Sequence, residues 1–330
     1  MGRNWIKTSL MASGATRLAG KWNGPGVAIL MYHSVLDDPE RECLTLGKII
    51  HSSAVFSRHM ELIAREYVPT SLDELARALT DGKELNPRSV AVTFDDGYSD
   101  NCEVAMPILN RFGIPAAFYI TVDCVESAKL PWPSRLRHAF HTTREMSWND
   151  INSSWPLQDD AQRDQAFLRA CDLCARLAGD RQEEFVAGVE RTLEVGPPAS
   201  LRRLMMTWDQ VRELAKNGHI VGSHTLTHPN MAHVEEEAAR TELVDSKRRL
   251  EQVLTAPVVH FSYPCPALSP HWTERTRKMS QEAGYQTAVT TVGGAVRRNS
   301  DPLALHRVRP TKEADGLRWN LECTFLGRAM

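Results

Sequence analysis

An α/β fold is the class this chain predicts, and three observations point to it. Short apolar, β-branched runs at Val27–Tyr32, Ser89–Val92, Ala116–Val122, His219–Val221, Pro257–Phe261, Gln286–Thr291 and Leu303–Val308 alternate with longer segments of helical periodicity. The chemistry-bearing residues gather where those runs end, which is where a parallel barrel collects its functional groups. At 330 residues with 42% hydrophobic content, the chain can bury one large core and carry an insertion. The order strand, helix, strand argues for a layered α/β arrangement, while periodicity alone does not separate a barrel from an open sheet.

Taken in order, Val27–Tyr32 reads as a buried strand with His33-Ser34-Val35 at its end. Helices follow over Ser57–Glu66 and Ser71–Thr80, the second with Ser71 and Glu74 spaced as a capping box ahead of Leu75. After Ser89–Val92 comes a polar turn, then a helix over Asp100–Phe112 that Gly113-Ile114-Pro115 ends, then the strand Ala116–Val122. From about Cys124 to Met206 the alternation breaks. Pro131-Trp132-Pro133, Trp148 and Trp155 sit among polar residues there, and Ala161–Leu177 and Arg181–Leu193 read as helices. This is a helical insertion between two βα units, and its tryptophans are expected to serve packing ahead of ligand stacking. Thr207–Asn217 is a capped helix with Gly218 just past its end, and His233–Leu254 is a long charged helix with Lys247, Arg248 and Arg249 on a solvated face. Helix Pro270–Ala283 separates the strands at Pro257–Phe261 and Gln286–Thr291, and Leu303–Val308 is the last strand.

A formal net charge of -2 gives no global reason to expect nucleic acid as a partner. Seven cysteines are an odd number without the spacing of a disulfide framework, so reduced thiols in a cytoplasm fit best. Cys171 and Cys174 read as two small apolar residues on one helix face. Residues 1–24 form an N-terminal extension ahead of the domain at 25–330. Its stretch to Trp22 holds Arg3, Lys7, Arg17 and Lys21 without an acid, and lacks the apolar core of a secretory signal. Trp5, Ile6, Leu10, Met11, Leu18 and Trp22 give it weak amphipathic character, so peripheral contact with a membrane surface stands beside a loosely ordered or core-packed end. No later stretch is long and apolar enough to span a bilayer, and the expected location is cytoplasmic or membrane-peripheral.

The chain is organised around Thr93-Phe94-Asp95-Asp96-Gly97-Tyr98-Ser99-Asp100-Asn101. Two adjacent carboxylates at a buried strand end need a compensating cation or donor, and a metal ligand beside a general base is a natural division of labour. Far downstream, Ser223-His224-Thr225-Leu226-Thr227-His228-Pro229 places two imidazoles where they can share a metal, without the glutamate that a zincin helix would have. With Asp96 as third ligand, two nitrogens and one oxygen make a usual catalytic zinc shell that leaves a position open for water.

These motifs, in this order, resemble those of the polysaccharide deacetylases, carbohydrate esterase family 4. The resemblance runs from about Val27 to the last strand and implies a distorted, incomplete (β/α) barrel with the insertion at about 124–206. It implies Asp95 as general base, Asp96, His224 and His228 as ligands of a divalent metal such as zinc, and a carbohydrate or glycolipid substrate. Members with a permuted motif order carry a Tyr-His near the N-terminus, matched by Tyr32-His33, which makes His33 the general acid. His306 on the last strand is its competitor, while Arg307 and Val308 look like the closing-strand pair of that branch. In the third motif, Ser262-Tyr263-Pro264-Cys265-Pro266, Ser262 stands where many members have the arginine that steadies the base. Cys265 stands where a tyrosine lends its backbone N–H to the oxyanion, and Tyr263 is a secondary candidate.

The expected reaction is metal-assisted removal of N-acetyl groups from N-acetylhexosamine units of a polysaccharide or lipid-linked glycan. Deformylation or another amide cleavage would keep every ligand and change only the pocket. The altered third motif also leaves room for a metal- or glycan-binding module without catalysis.

Overall fold

The computed structural model describes residues 26–37, 49–84, 86–196 and 204–328. The N-terminal extension and its amphipathic pattern therefore lie outside the described residues.

The chain runs β1 (Val27–Tyr32), β2 (Ser34–Val35), β3 (Ile50–His51), α1 (Ser53–Glu66), β4 (Val68–Pro69), α2 (Leu72–Thr80) and β5 (Ser89–Phe94). A π turn at Asn101–Ala105 opens α3 (Met106–Phe112), followed by β6 (Ala116–Ile120). The insertion holds α4 (Val122–Ser127), α5 (Trp132–Thr142), β7 (Ser147–Asn149), β8 (Ser154–Pro156), α6 (Asp160–Cys174) and α7 (Gly179–Thr192). The second half runs α8 (Trp208–Lys216), β9 (Ile220–Ser223), α9 (Glu236–Leu254), β10 (His260–Ser262), α10 (Glu274–Glu282), β11 (Thr287–Gly293), β12 (Leu305–Arg307) and α11 (Ala314–Phe325).

The main sheet is parallel throughout, in the order β1-β5-β6-β9-β10-β11-β12, with β4 added beside β5. Its two edges nearly meet, because Met31 N–H donates to the Val308 carbonyl (3.0 Å) and Val308 N–H to the Ile29 carbonyl (2.7 Å). The result is a nearly closed barrel. The period of two along each strand divides its side chains into two sets. Ala28, Leu30, Tyr32, Val90, Val92, Phe94, Phe118 and Ile120 face the helices, where they pack with Phe56, Met60 and Ile63 of α1 and Leu243 and Leu250 of α9. Val27, Ile29, Ala91, Ala117, Tyr119, Val289 and Leu305 make a separate inner cluster, which Leu72 and Leu75 of α2 join. This alternation puts Thr93, Asp95 and Arg307 in line with the inner set.

Ser71 and Glu74 do form a reciprocal capping box, and Thr207 forms another with Gln210 at the start of α8. Helix α1 begins earlier than its periodicity suggests, because the Ser52 hydroxyl caps it by accepting from Val55 N–H. Lys247 is not part of a solvated face: its ammonium donates to Glu251 and to the Val258 carbonyl, so only Arg248 and Arg249 of that trio are well exposed.

The insertion builds its own apolar cluster around Trp132, Phe140, Trp148, Cys171, Cys174 and Val189. Trp132 and Trp148 are buried there, Trp155 packs against the cluster, and Cys171 and Cys174 share one buried helix face. The insertion is not wholly helical, because β7 and β8 pair as a hairpin with Trp148 opposite Trp155. Asp150 makes the turn by accepting from the N–H groups of Asn152 and Ser153, a short-range device that helical periodicity does not reveal. Among the described residues, Cys102, Cys124, Cys171, Cys174 and Cys265 are free thiols. Among those residues no helix is long and apolar enough to cross a membrane.

Candidate metal centre and active site

Asp95 and Asp96 leave the C-terminal end of β5 together, and both are buried. Asp95 N–H donates to the Tyr32 carbonyl (3.0 Å), which carries strand pairing one residue past β5. Asp96 then takes a positive φ of 77° and Gly97 one of 91°, and that sharp turn aims neighbouring carboxylates in different directions.

The two histidines come from the loop after β9, and that loop is not a helix. Thr225 and His228 have φ of 69° and 62°, and the Thr225 hydroxyl accepts from His228 N–H at 3.0 Å. Gly222 ahead of it needs to be glycine, because a Cβ there would lie 2.5 Å from the Tyr119 ring. The buried Glu242 carboxylate of α9 holds the middle of the loop, accepting from Leu226 N–H (2.7 Å), Thr227 N–H (2.9 Å) and the Thr227 hydroxyl (2.5 Å). On the insertion side, Trp132 Nε1 donates to the His228 carbonyl (2.9 Å).

His224 Nδ1 lies 2.8 Å from the Ser262 carbonyl, which can only accept, so Nδ1 carries the proton and Nε2 offers its lone pair. That Nε2 is 3.5 Å from Asp96 Oδ1, and His228 Nε2 is 3.4 Å from the same oxygen. Asp96 Oδ1 is buried with no hydrogen-bond partner. One ligand atom from each of Asp96, His224 and His228 lies within 4.8 Å of the others. An orphaned buried carboxylate oxygen facing two imidazole nitrogens fits a divalent cation.

Arg307 answers what the third motif leaves open. Its Nη1 and Nη2 donate to Asp95 Oδ1 (2.8 Å) and Oδ2 (2.7 Å), while Nε donates to the Thr290 carbonyl (2.8 Å). The Ser262 hydroxyl, in the position of the missing arginine, lies 3.2 Å from Nη2 of Arg307. A guanidinium on the last strand thus grips the base candidate. Burial would raise the Asp95 carboxyl, but Arg307 outweighs it and holds Asp95 below the usual carboxylate range. Asp96 is held well below that range against a similar burial penalty, chiefly by His224 and His228. For His224, burial opposes the charged form, yet Asp95 and Asp96 together raise its pKa.

His33 Nε2 lies 3.9 Å from Asp95 Oδ2, on the side open to solvent. Burial lowers its pKa, more than the two aspartates can restore. Its backbone is clamped: Asn101 Nδ2 donates to the His33 carbonyl (2.7 Å), and Asp100 accepts from the Ser34 hydroxyl (2.6 Å) and Val35 N–H (3.1 Å). The tail of the Asp-Asp motif thereby fixes the His33 loop, a role that only the fold reveals.

Asp95, Asp96, His33, His224, His228 and Cys265 line one cleft of about 730 Å³. Its opposite wall comes from the insertion, with Pro131, Pro133, Phe167 and Leu168. The Cys265 thiol lies 3.2 Å from His271 Nε2. Two secondary candidates fall elsewhere. His306 is exposed between two buried neighbours on β12, because strand alternation turns it away as it turns Arg307 inward. Tyr263 is buried against Trp272, and its hydroxyl is bonded to Ser280 and the Leu303 carbonyl.

The fold and site define the class: a nearly closed parallel (β/α) barrel of the deacetylase type, with an Asp-His-His cluster at its strand ends. The chain belongs to the polysaccharide deacetylase family, whose sequence profile matches residues 82–288. It is 24% identical over 317 residues to YxkH of Bacillus subtilis (strain 168), which is classed with the polysaccharide deacetylases; the match spans 94% of this chain and 76% of that protein. A 97-residue segment, 29% of this chain and 14% of the other, is 29% identical to the poly-beta-1,6-N-acetyl-D-glucosamine N-deacetylase of Escherichia coli (strain K12). In fold it resembles the Streptococcus pyogenes deacetylase PplD, with TM-score 0.60 and 18% identity over 90% of this chain and 99% of that one. IcaB from Ammonifex degensii is similar too, with TM-score 0.58 and 17% identity over 91% and 97% of the two chains.

Proposed function

We propose that this chain removes N-acetyl groups from N-acetylhexosamine units of a polysaccharide or lipid-linked glycan, with zinc or a similar divalent ion held by Asp96, His224 and His228. The observation that carries this reading is Asp95, fixed by Arg307 within 3.9 Å of His33 and adjoining the three candidate ligands. When bound, such an ion polarises the acetyl carbonyl and lowers the pKa of water. Arg307 keeps Asp95 ionised, so the carboxylate can take a proton from the attacking water. His33 is left neutral near pH 7, so it can accept that proton from Asp95 and deliver it to the nitrogen as the C–N bond breaks. The Cys265 backbone N–H is assigned as donor to the developing oxyanion. Acetate leaves with the new C–O bond, and the free amine keeps the proton.

The 97-residue likeness to the poly-beta-1,6-N-acetyl-D-glucosamine N-deacetylase of Escherichia coli supports an N-acetylated hexosamine as substrate class. In sequence, the lost third-motif arginine is the ground for an inactive binding module; the guanidinium of Arg307 removes that ground and supports the enzymatic reading. The test is acetate release from N-acetylated oligosaccharides by metal-reconstituted wild type, Asp95→Asn and His33→Ala. Undiminished turnover in Asp95→Asn would refute the assignment.

A further inference from the structure

We propose that Arg309 makes this cleft selective for an anionic glycan, docking a phosphate or carboxylate group carried near the sugar that loses its acetyl. The inference rests on the deacetylase reading of the same site and deepens it by naming the substrate class.

The charges around the cleft can be matched in turn. Asp95 is neutralised by Arg307, and Asp96 belongs to the candidate metal cluster. On the insertion wall, Arg137 Nη1 lies 3.8 Å from Asp164 Oδ1 and 3.0 Å from His141 Nε2. Arg309 is left over. It lines the same cleft, is exposed, and has no hydrogen bond or ion pair among the described residues.

Its position follows from the strand that supplies Arg307. Leu305 and Arg307 are the buried, inward residues of β12, and Arg309 lies two residues on, past the C-terminal end where a barrel meets its ligands. Burial, with His233 and Arg309 beside it, holds the neighbouring His271 below the usual imidazole range. A neutral sugar has no use for an unmatched guanidinium at this mouth. A phosphate or carboxylate does, because the planar fork matches both in bidentate fashion and a charged rim concentrates anions.

The test is equilibrium binding of three probes to the metal-loaded protein: diacetylchitobiose, its reducing-end phosphate, and its reducing-end carboxylate. Wild type should bind at least one charged probe on the order of tenfold more tightly than the neutral one at low salt. That advantage should shrink with added salt, vanish in Arg309→Gln, and survive in large part in Arg309→Lys. Which charged probe gains distinguishes a phosphate-linked glycan from a uronate-like one. Equal affinities for all three probes in wild type would overturn the proposal. So would an advantage that persists in Arg309→Gln, which would mean that the metal captures the anion. Acetate release from the same probes is a separate readout: its absence with all three would sink the deacetylase reading, while the affinity ratios would still decide the role of Arg309.

Discussion

Arg307 and Asp95 are 212 residues apart in sequence, yet they meet inside the barrel through two parallel hydrogen bonds of 2.8 and 2.7 Å. Both are almost wholly shielded from solvent, so each is the counter-charge that makes the other's burial tolerable.

Removing the guanidinium should therefore affect both fold and activity. Arg307→Met should lower stability by roughly 3 kcal/mol, because it leaves a buried carboxylate unpaired. The more specific effect is on pH dependence. With Arg307 gone, burial is opposed only by the weaker pull of His224 and His33, so the Asp95 pKa rises and the acid limb of kcat/KM should move to higher pH. Arg307→Lys, which keeps a charge but loses the fork, should show a smaller shift in the same direction. A pH–rate profile checks this, and an unmoved acid limb would separate Arg307 from the base.

His33 and His306 make opposite predictions. His33→Ala should reduce kcat about 100-fold or more, in the range lost with a general acid. His306→Ala should stay within about twofold of wild type, because the ring is on the solvent face of β12 and a surface change of this kind is usually mild. Steady-state acetate release with both variants decides. A large loss in His306→Ala together with a small one in His33→Ala would reverse the assignment.

Much of the barrel was legible because its signals are local. Apolar runs mark the strands, Ser71 with Glu74 and Thr207 with Gln210 mark helix starts, and the Asp and His motifs stand directly after strands. Partnerships between distant segments were not legible. Arg307 is conspicuous as a charge inside an apolar run, but nothing in Leu305-His306-Arg307-Val308 says that its partner stands just past the end of β5. Glu242 likewise reads as one more acid on a charged helix until the fold sets it under the histidine loop. Alternation along β12 could have excluded His306, since a strand that points Arg307 inward must point its neighbour out.

Of the hydrogen bonds that the insertion makes to the histidine loop, the one from Trp132 reaches a candidate ligand residue itself and should influence metal affinity. Trp132 Nε1 donates to the His228 carbonyl, and Trp132→Phe keeps most of the buried ring while deleting that donor. That bond steadies the backbone that carries the ligand, and a net hydrogen bond of this kind contributes about 1 kcal/mol, so zinc should bind roughly fivefold more weakly. His228→Ala should abolish stoichiometric binding in the same titration. Equal zinc affinity in wild type and Trp132→Phe would show that the Trp132 hydrogen bond does not steady the loop.

Glu242 links the histidine loop to pH through stability. Burial pushes its carboxyl up to about 7, against the opposing pull of donors from Thr227 and Leu226. In the unfolded chain the same group titrates near an ordinary glutamate value of about 4.3. Between those two values the folded protein holds a proton that the unfolded chain has released, so the associated stability is present at low pH and is lost as pH rises toward 7. Its size is roughly 4 kcal/mol over that window. Glu242→Gln has no such proton to lose. With chelator present, the stability of wild type relative to Glu242→Gln, followed by urea unfolding, should therefore decline steadily from about pH 5 to pH 7 and then level off. A difference that stays constant across the series would mean that Glu242 is ionised throughout and that its three donors outweigh its burial.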